Sequence, residues 1–119
     1  MTDEVNSCVQ NPERIETIAR LNDCLRQHAT GGIVVVTRGV RSLPGFSVPT
    51  LLTMLKEYED FDEDNDPHGE RDFGDLEFDG QDLLWKIEYY DANGLHGSPD
   101  PADTRVTQRV LTVMLATEW

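Results

Sequence analysis

The sequence is poor in positive charge. Its 119 residues hold 10 Lys+Arg against 23 Asp+Glu, for a formal net charge of −13. That deficit excludes general binding to nucleic acid or to an anionic membrane through a basic surface. Cysteine is scarce as well, with only Cys8 and Cys24 and no CxxC pair. Zinc-knuckle and thioredoxin-like sites are therefore not expected, and both thiols are expected to stay reduced. No apolar stretch approaches the roughly 18 residues a membrane span needs. The start MTDEVNSCVQ is polar and acidic, unlike a signal peptide. The expected compartment is the cytosol. There is no GxSxG and no phosphate-binding GxxxxGK[ST], so neither nucleophilic catalysis nor nucleotide binding has a motif to rest on.

What is present is acid, and it is unevenly placed. Residues 57–103 carry 17 acids, with only Arg71 and Lys86 as bases. The density is highest from Glu57 to Asp82. Like charges this close repel, so such a stretch is either a solvated loop or a surface kept acidic for a partner.

Periodicity supplies a scaffold for it. Residues 1–10 read as a flexible tail, and 11–119 as a single domain. Asn11-Pro12-Glu13 starts a helix running from about 12 to 28. Its apolar stripe is Ile15, Ile18, Leu21 or Asn22, and Leu25, with Arg14, Arg20 and Arg26 on the opposite face. Ile33–Arg38 is a strand, expected at the centre of its sheet because both faces are apolar. Leu43-Pro44-Gly45 is a turn. A second helix from about 48 to 59 buries Val48, Leu51, Leu52, Leu55 and Tyr58, with Met54 at the edge.

Residues 62–71 read as a loop. Asp79-Gly80 then predicts a two-residue hairpin turn between strands 73–78 and 83–90. That turn sets Leu76 opposite Leu83 and Gly74 opposite Trp85. Phe78, Trp85, Ile87 and Tyr89 face inward, and Asp75, Glu77 and Asp82 outward. The segment 91–103 is a long loop. Residues 106–116 fit a helix through Val106, Val110, Val113 and Met114 as well as a strand; Val, Thr and Leu on both faces favour a final buried strand. The expected fold is α+β, in the order α-β-α-β-β-β, with two helices on a small antiparallel-rich sheet of about four strands.

Several stretches together resemble the bacterial domain-of-unknown-function family numbered 3768. They are GGIVVVTRGV (31–40), FDEDNDPHGERDFG (61–74), WKIEYYD (85–91), GSPDPAD (97–103) and TQRVLTVMLA (107–116). The resemblance implies a short single-domain protein of the kind often carried on plasmids and other mobile elements. It supplies no catalytic residues, and it favours an accessory or counter-defence role such as anti-CRISPR or anti-restriction activity.

Two chemistries suit the acidic stretch. In the first, Glu57, Glu59, Asp60, Asp62, Glu63, Asp64, Asp66, Glu70, Asp72, Asp75, Glu77 and Asp82 form a partner-binding surface. A double helix presents one negative charge per roughly 1.7 Å of axis, and a row of carboxylates could imitate it on a basic, nucleic-acid-binding protein. The expected function is then that of a non-enzymatic acidic inhibitor, a DNA mimic, that binds no nucleic acid itself.

The alternative is a divalent cation. Asp62, Asp64 and Asp66 supply oxygens at alternate positions, as hard cations require. An EF-hand beginning at Asp62 fails, because Pro67 and Phe73 occupy the places of its glycine and glutamate. Asp66, His68, Glu70 and Asp72 also alternate, and His96 could join them. The metal candidates are Asp64, Asp66, His68, Glu70 and His96, as a binding site or as a metal-dependent enzyme. Apart from that cation, no cofactor is expected.

Overall fold

The computed structural model describes residues 12–119. The expected tail, the Asn11 cap and Cys8 lie outside the described residues.

Helix α1 spans Pro12–His28. Strand β1 follows at Ile33–Val36, then a one-turn helix α2 at Arg38–Arg41 and helix α3 at Val48–Glu57. Strands β2 (Phe73–Phe78), β3 (Gln81–Tyr90) and β4 (Gln108–Leu115) complete the sheet, and a 3-10 turn covers Ala116–Glu118. The architecture is α+β, with α2 and the final turn added to the expected order. The β1 strand stops two residues early because the Thr37 side chain accepts from the Val40 N–H and caps α2. Ser47 caps α3 in the same way, through the Thr50 N–H.

The sheet is mixed, in the order β1-β4-β3-β2, with β1 parallel to β4 and the other pairs antiparallel. The hairpin register is as the sequence predicts: Gly74 faces Trp85 and Leu76 faces Leu83. Asp79 (φ 52°) and Gly80 (φ 80°) both take left-handed backbone, the mirror-image turn that matches strand twist. Across the four strands, Val36, Val113, Trp85 and Gly74 line up on one face.

Leu25 of α1 and Leu51 and Leu55 of α3 close over that face, in one core with Trp85, Leu83, Ile87, Leu111 and Val113. The opposite face carries Ile33, Val35, Thr112, Lys86, Asp75 and Glu77. This explains the misplacement of β1. It is an edge strand, not a central one: Val34 and Val36 pack on the core, while Ile33 and Val35 stay exposed. Its consecutive valines satisfy one buried face and the strand backbone, not two buried faces.

Two further expectations, for Val48 and Arg26, are corrected, and the choice between Leu21 and Asn22 is decided. Val48 is exposed at the start of α3. Asn22, not Leu21, is fully buried. Arg26, expected on the solvent face of α1, is buried at 3% exposure. Cys24 is a free, exposed thiol. Among the described residues, no helix is long and apolar enough to cross a membrane.

Candidate functional site

The acidic stretch begins where α3 ends. Tyr58 leaves the helix in extended backbone and turns its ring onto Trp85 (5.5 Å) and Phe61 (5.0 Å), both edge to face. Phe61 also meets Trp85, at 6.0 Å. These contacts pin the first turn of the loop and leave Glu57, Glu59 and Asp60 exposed. Gly74 makes room for them: a Cβ there would lie 2.5 Å from both Trp85 Nε1 and the Tyr58 ring.

Arg26 lies beneath this cluster. Its Nη1 donates to the carbonyls of Leu55 (2.8 Å) and Tyr58 (2.9 Å), groups left over at the end of α3. Its Nη2 donates to Asp23 (3.1 Å), and its guanidinium lies 5.4 Å from the Phe61 ring centre.

The next turn is built from its own polar groups. One Asp62 carboxylate oxygen accepts from the N–H groups of Asp64 (2.9 Å) and Asn65 (3.0 Å). The Asn65 side-chain Oδ1 returns the bond, accepting from the Asp62 N–H at 2.9 Å. The Asn65 amide donates to the Asp60 carbonyl (2.7 Å) and the Tyr58 hydroxyl (3.0 Å). Asp62, folded onto this turn, and Glu63 and Asp64 beside it are all exposed.

Asp66, Glu70 and Asp72, expected among the partner-facing acids, are half-buried instead. Asp66 Oδ1 accepts from the Arg71 N–H at 2.9 Å. Glu70 Oε1 accepts from the Tyr89 hydroxyl at 2.9 Å, and the Glu70 carbonyl accepts from the Asn22 amide at 3.0 Å. Asn22 also donates to the Tyr89 oxygen and accepts from Arg109 Nε, both ends of a buried polar chain. Arg109 further donates to the Pro101 carbonyl and lies against the Tyr89 ring. Burial, and then the neighbouring Glu70 charge, raise the Asp72 carboxyl above its ordinary value. Burial first, and the Glu70 charge after it, likewise hold the Tyr89 hydroxyl far above its usual range. Arg71 does not pair with its chain neighbours Glu70 and Asp72. It reaches Asp23 on α1 at 2.8 Å.

The outward set is thus Glu57, Glu59, Asp60, Asp62, Glu63 and Asp64 on the loop, with Asp75, Glu77, Asp79 and Asp82 on the hairpin. Among the described residues, none of these forms an ion pair. The two groups meet at Tyr58. Burial raises the pKa of its hydroxyl, and the charges of both Asp75 and Asp60 raise it further. On the outer face Lys86 pairs with Glu88 at 3.4 Å.

His68 and His96 are exposed. Asp64, Asp66, His68, Glu70 and His96 are not brought into a metal-holding group: among the described residues, no three His, Cys, Asp or Glu form one. The residues that order the loop, Asn22, Asp23, Arg26, Tyr89 and Arg109, were not read as site residues. The one sequence signal for them is that Asn22 and Arg26 continue the helical spacing of Ile18 on the core face of α1.

The family model described as "Protein of unknown function (DUF3768)" matches residues 36–118, from the end of β1 through the 3-10 turn. No curated protein and no solved structure matches the chain. The family match takes in the whole acidic loop, the hairpin and β4, while α1, which supplies Asn22, Asp23 and Arg26, precedes it. Covering well over half of the chain, it makes the protein a member of the DUF3768 family.

Proposed function

We propose that this protein is a non-enzymatic acidic interaction protein that docks on a basic, nucleic-acid-binding partner and blocks it. One observation carries the reading: among the described residues the exposed carboxylates of the loop and hairpin have no ion-pair partners, yet they stand on backbone tied down by Arg26, Arg71, Asn22 and Asn65. Free solvated acids need no such ties. An ordered array loses less entropy on docking than a flexible tail does, and it steers toward positive potential. Asp75 and Glu77, two residues apart on a strand, stand about 6.6 Å from each other, near two phosphate steps of about 3.4 Å. The protein would act as a DNA mimic in the cytoplasm, in a counter-defence role such as anti-CRISPR or anti-restriction inhibition.

The test is displacement of a fluorescent DNA duplex from a panel of basic DNA-binding effectors, nucleases included, followed by anisotropy across a salt series. The protein should displace the duplex from its target at low salt and lose this ability steeply as salt rises. Glu59→Gln, Asp60→Asn, Glu63→Gln and Asp64→Asn together should abolish displacement without unfolding the protein, since none of these side chains ties the loop. Displacement indifferent to salt, or unchanged in that variant, would refute the reading.

A further inference from the structure

The two edges of the sheet are unlike. Along β2 the outward side chains include Asp75 and Glu77, and Tyr58 packs against Gly74 from the adjoining loop. Charge and cover of this kind keep an edge from pairing with other chains. The β1 edge has neither. It is Ile-Val-Val-Val, without charge or proline, and among the described residues it pairs only with β4. The Thr37 N–H donates to the Val113 carbonyl. By alternation, Ile33 and Val35 also turn their backbone groups toward β4, so Val34 and Val36 turn theirs to the free edge. Among the described residues, nothing beyond the strand pairing hydrogen-bonds to them. Ile33 and Val35 are 45% and 41% exposed on the helix-free face.

The charge around this edge also departs from the rest of the chain. From Cys24 to Lys56 there is no Asp or Glu at all, in a protein of net charge −13. Arg38 and Arg41 on α2, at the end of β1, are exposed and form no ion pair among the described residues.

We propose that the free edge of β1 receives an extended strand of a partner protein. That strand is apolar at alternate positions and carries carboxylates where it passes Arg38 and Arg41. Main-chain bonds to Val34 and Val36 hold it, the exposed Ile33 and Val35 cover its apolar side chains, and the two arginines select its charge. This site lies on the opposite edge from the acidic surface and does not depend on that surface's function.

The probe is a short synthetic peptide alternating valine and threonine, with glutamates at one end, beside a copy with lysines in their place. Amide hydrogen exchange and titration by NMR are the readouts. The glutamate peptide should slow exchange at Val34 and Val36. The lysine peptide should bind roughly fivefold more weakly, the effect of a pair of exposed ion pairs. Arg38→Ala with Arg41→Ala should erase that difference. Val35→Lys, on a side chain outside the core, should abolish binding, while Val35→Thr should retain it. Failure of both peptides to protect Val34 and Val36, equal binding of the two, or binding by Val35→Lys would overturn the proposal. So would a dimer of the free protein, seen by sedimentation and dissolved by Val35→Lys, since the occupant would then be a second copy of the chain.

Discussion

Arg71 and Asp23 meet at 2.8 Å across a sequence separation of 48 residues, and this contact ties the acidic loop to the first helix. The Arg71 Nε also donates to both carboxylate oxygens of Asp23, so the pair is held as a fork. Both side chains are partly exposed, so the pair contributes about 1 kcal/mol. Arg71→Ala should lower stability to urea by that amount and speed amide exchange in residues 62–70, leaving β3 and β4 protected. Arg71 has φ 53°, which disfavours any side chain by about 1 kcal/mol and does not disfavour glycine. Arg71→Gly should therefore fall between the wild type and Arg71→Ala. An alanine variant as stable as the wild type would show that the tether is incidental.

Arg26 carries more. Its guanidinium is buried, and it serves the carbonyls of Leu55 and Tyr58 together with Asp23. Removing it strands the Tyr58 carbonyl, leaves the Leu55 carbonyl with the Tyr58 N–H alone, and leaves the Asp23 charge with Arg71 alone. Breaking a buried charged network from one side costs about 3–5 kcal/mol. Arg26→Ala should cost that much in urea unfolding. Arg26→Lys should recover only a fraction, because an ammonium cannot span the same fork. Recovery of wild-type stability by lysine would mean that charge alone matters here.

The legible part of this fold was the part governed by neighbours in the chain. Asp79-Gly80 forces a two-residue turn, and the period of two then sets every pairing from Gly74–Trp85 to Leu76–Leu83. Helix α1 was legible from its stripe, and the last strand from its β-branched run. The edge position of β1 was not legible. Four successive apolar residues look alike whether one face or both are covered, and only the placement of α1 and α3 on one side decides it. Arg26 was misread for a similar reason. A polar residue on a helix reads as solvent-facing unless its partners are known, and the Leu55 and Tyr58 carbonyls that hold Arg26 lie 29 and 32 residues away in the chain. The same distance hid which acids turn inward. Glu70 and Glu63 are chemically identical, but only Glu70 lies under Tyr89.

Gly74 offers a direct test of the aromatic anchor. Any Cβ would press on Trp85 and Tyr58 at 2.5 Å, and both rings are confined by Phe61. Overpacking of this kind costs typically 1–3 kcal/mol. Gly74→Ala should lower the unfolding midpoint accordingly and loosen residues 58–61, seen as faster exchange there. An alanine that stabilises the strand, as its propensity alone would dictate, would show that the rings shift at little cost.

Asp72 governs the expected response to pH. Its carboxyl is raised first by burial and then by the Glu70 charge, with Asp66 adding to it and His68 opposing. The folded protein therefore takes up this proton at a higher pH than the unfolded chain does. In the window between the two values the native state holds more protons, so stability rises as pH falls through it. Above that window, at neutral pH, the ionised Asp72 is a standing cost to the fold. Asp72→Asn removes the charge and keeps the shape. It should raise the thermal midpoint at neutral pH, and the gain should shrink as pH falls through the window, vanishing below the ordinary carboxylate range. The Asp72 backbone carbonyl, which accepts from the Ile87 N–H, is retained in that variant, so strand pairing is not at issue. Midpoints measured across pH for the two proteins check this directly. A gain that stayed constant down to acid pH would exclude Asp72 ionisation as its cause.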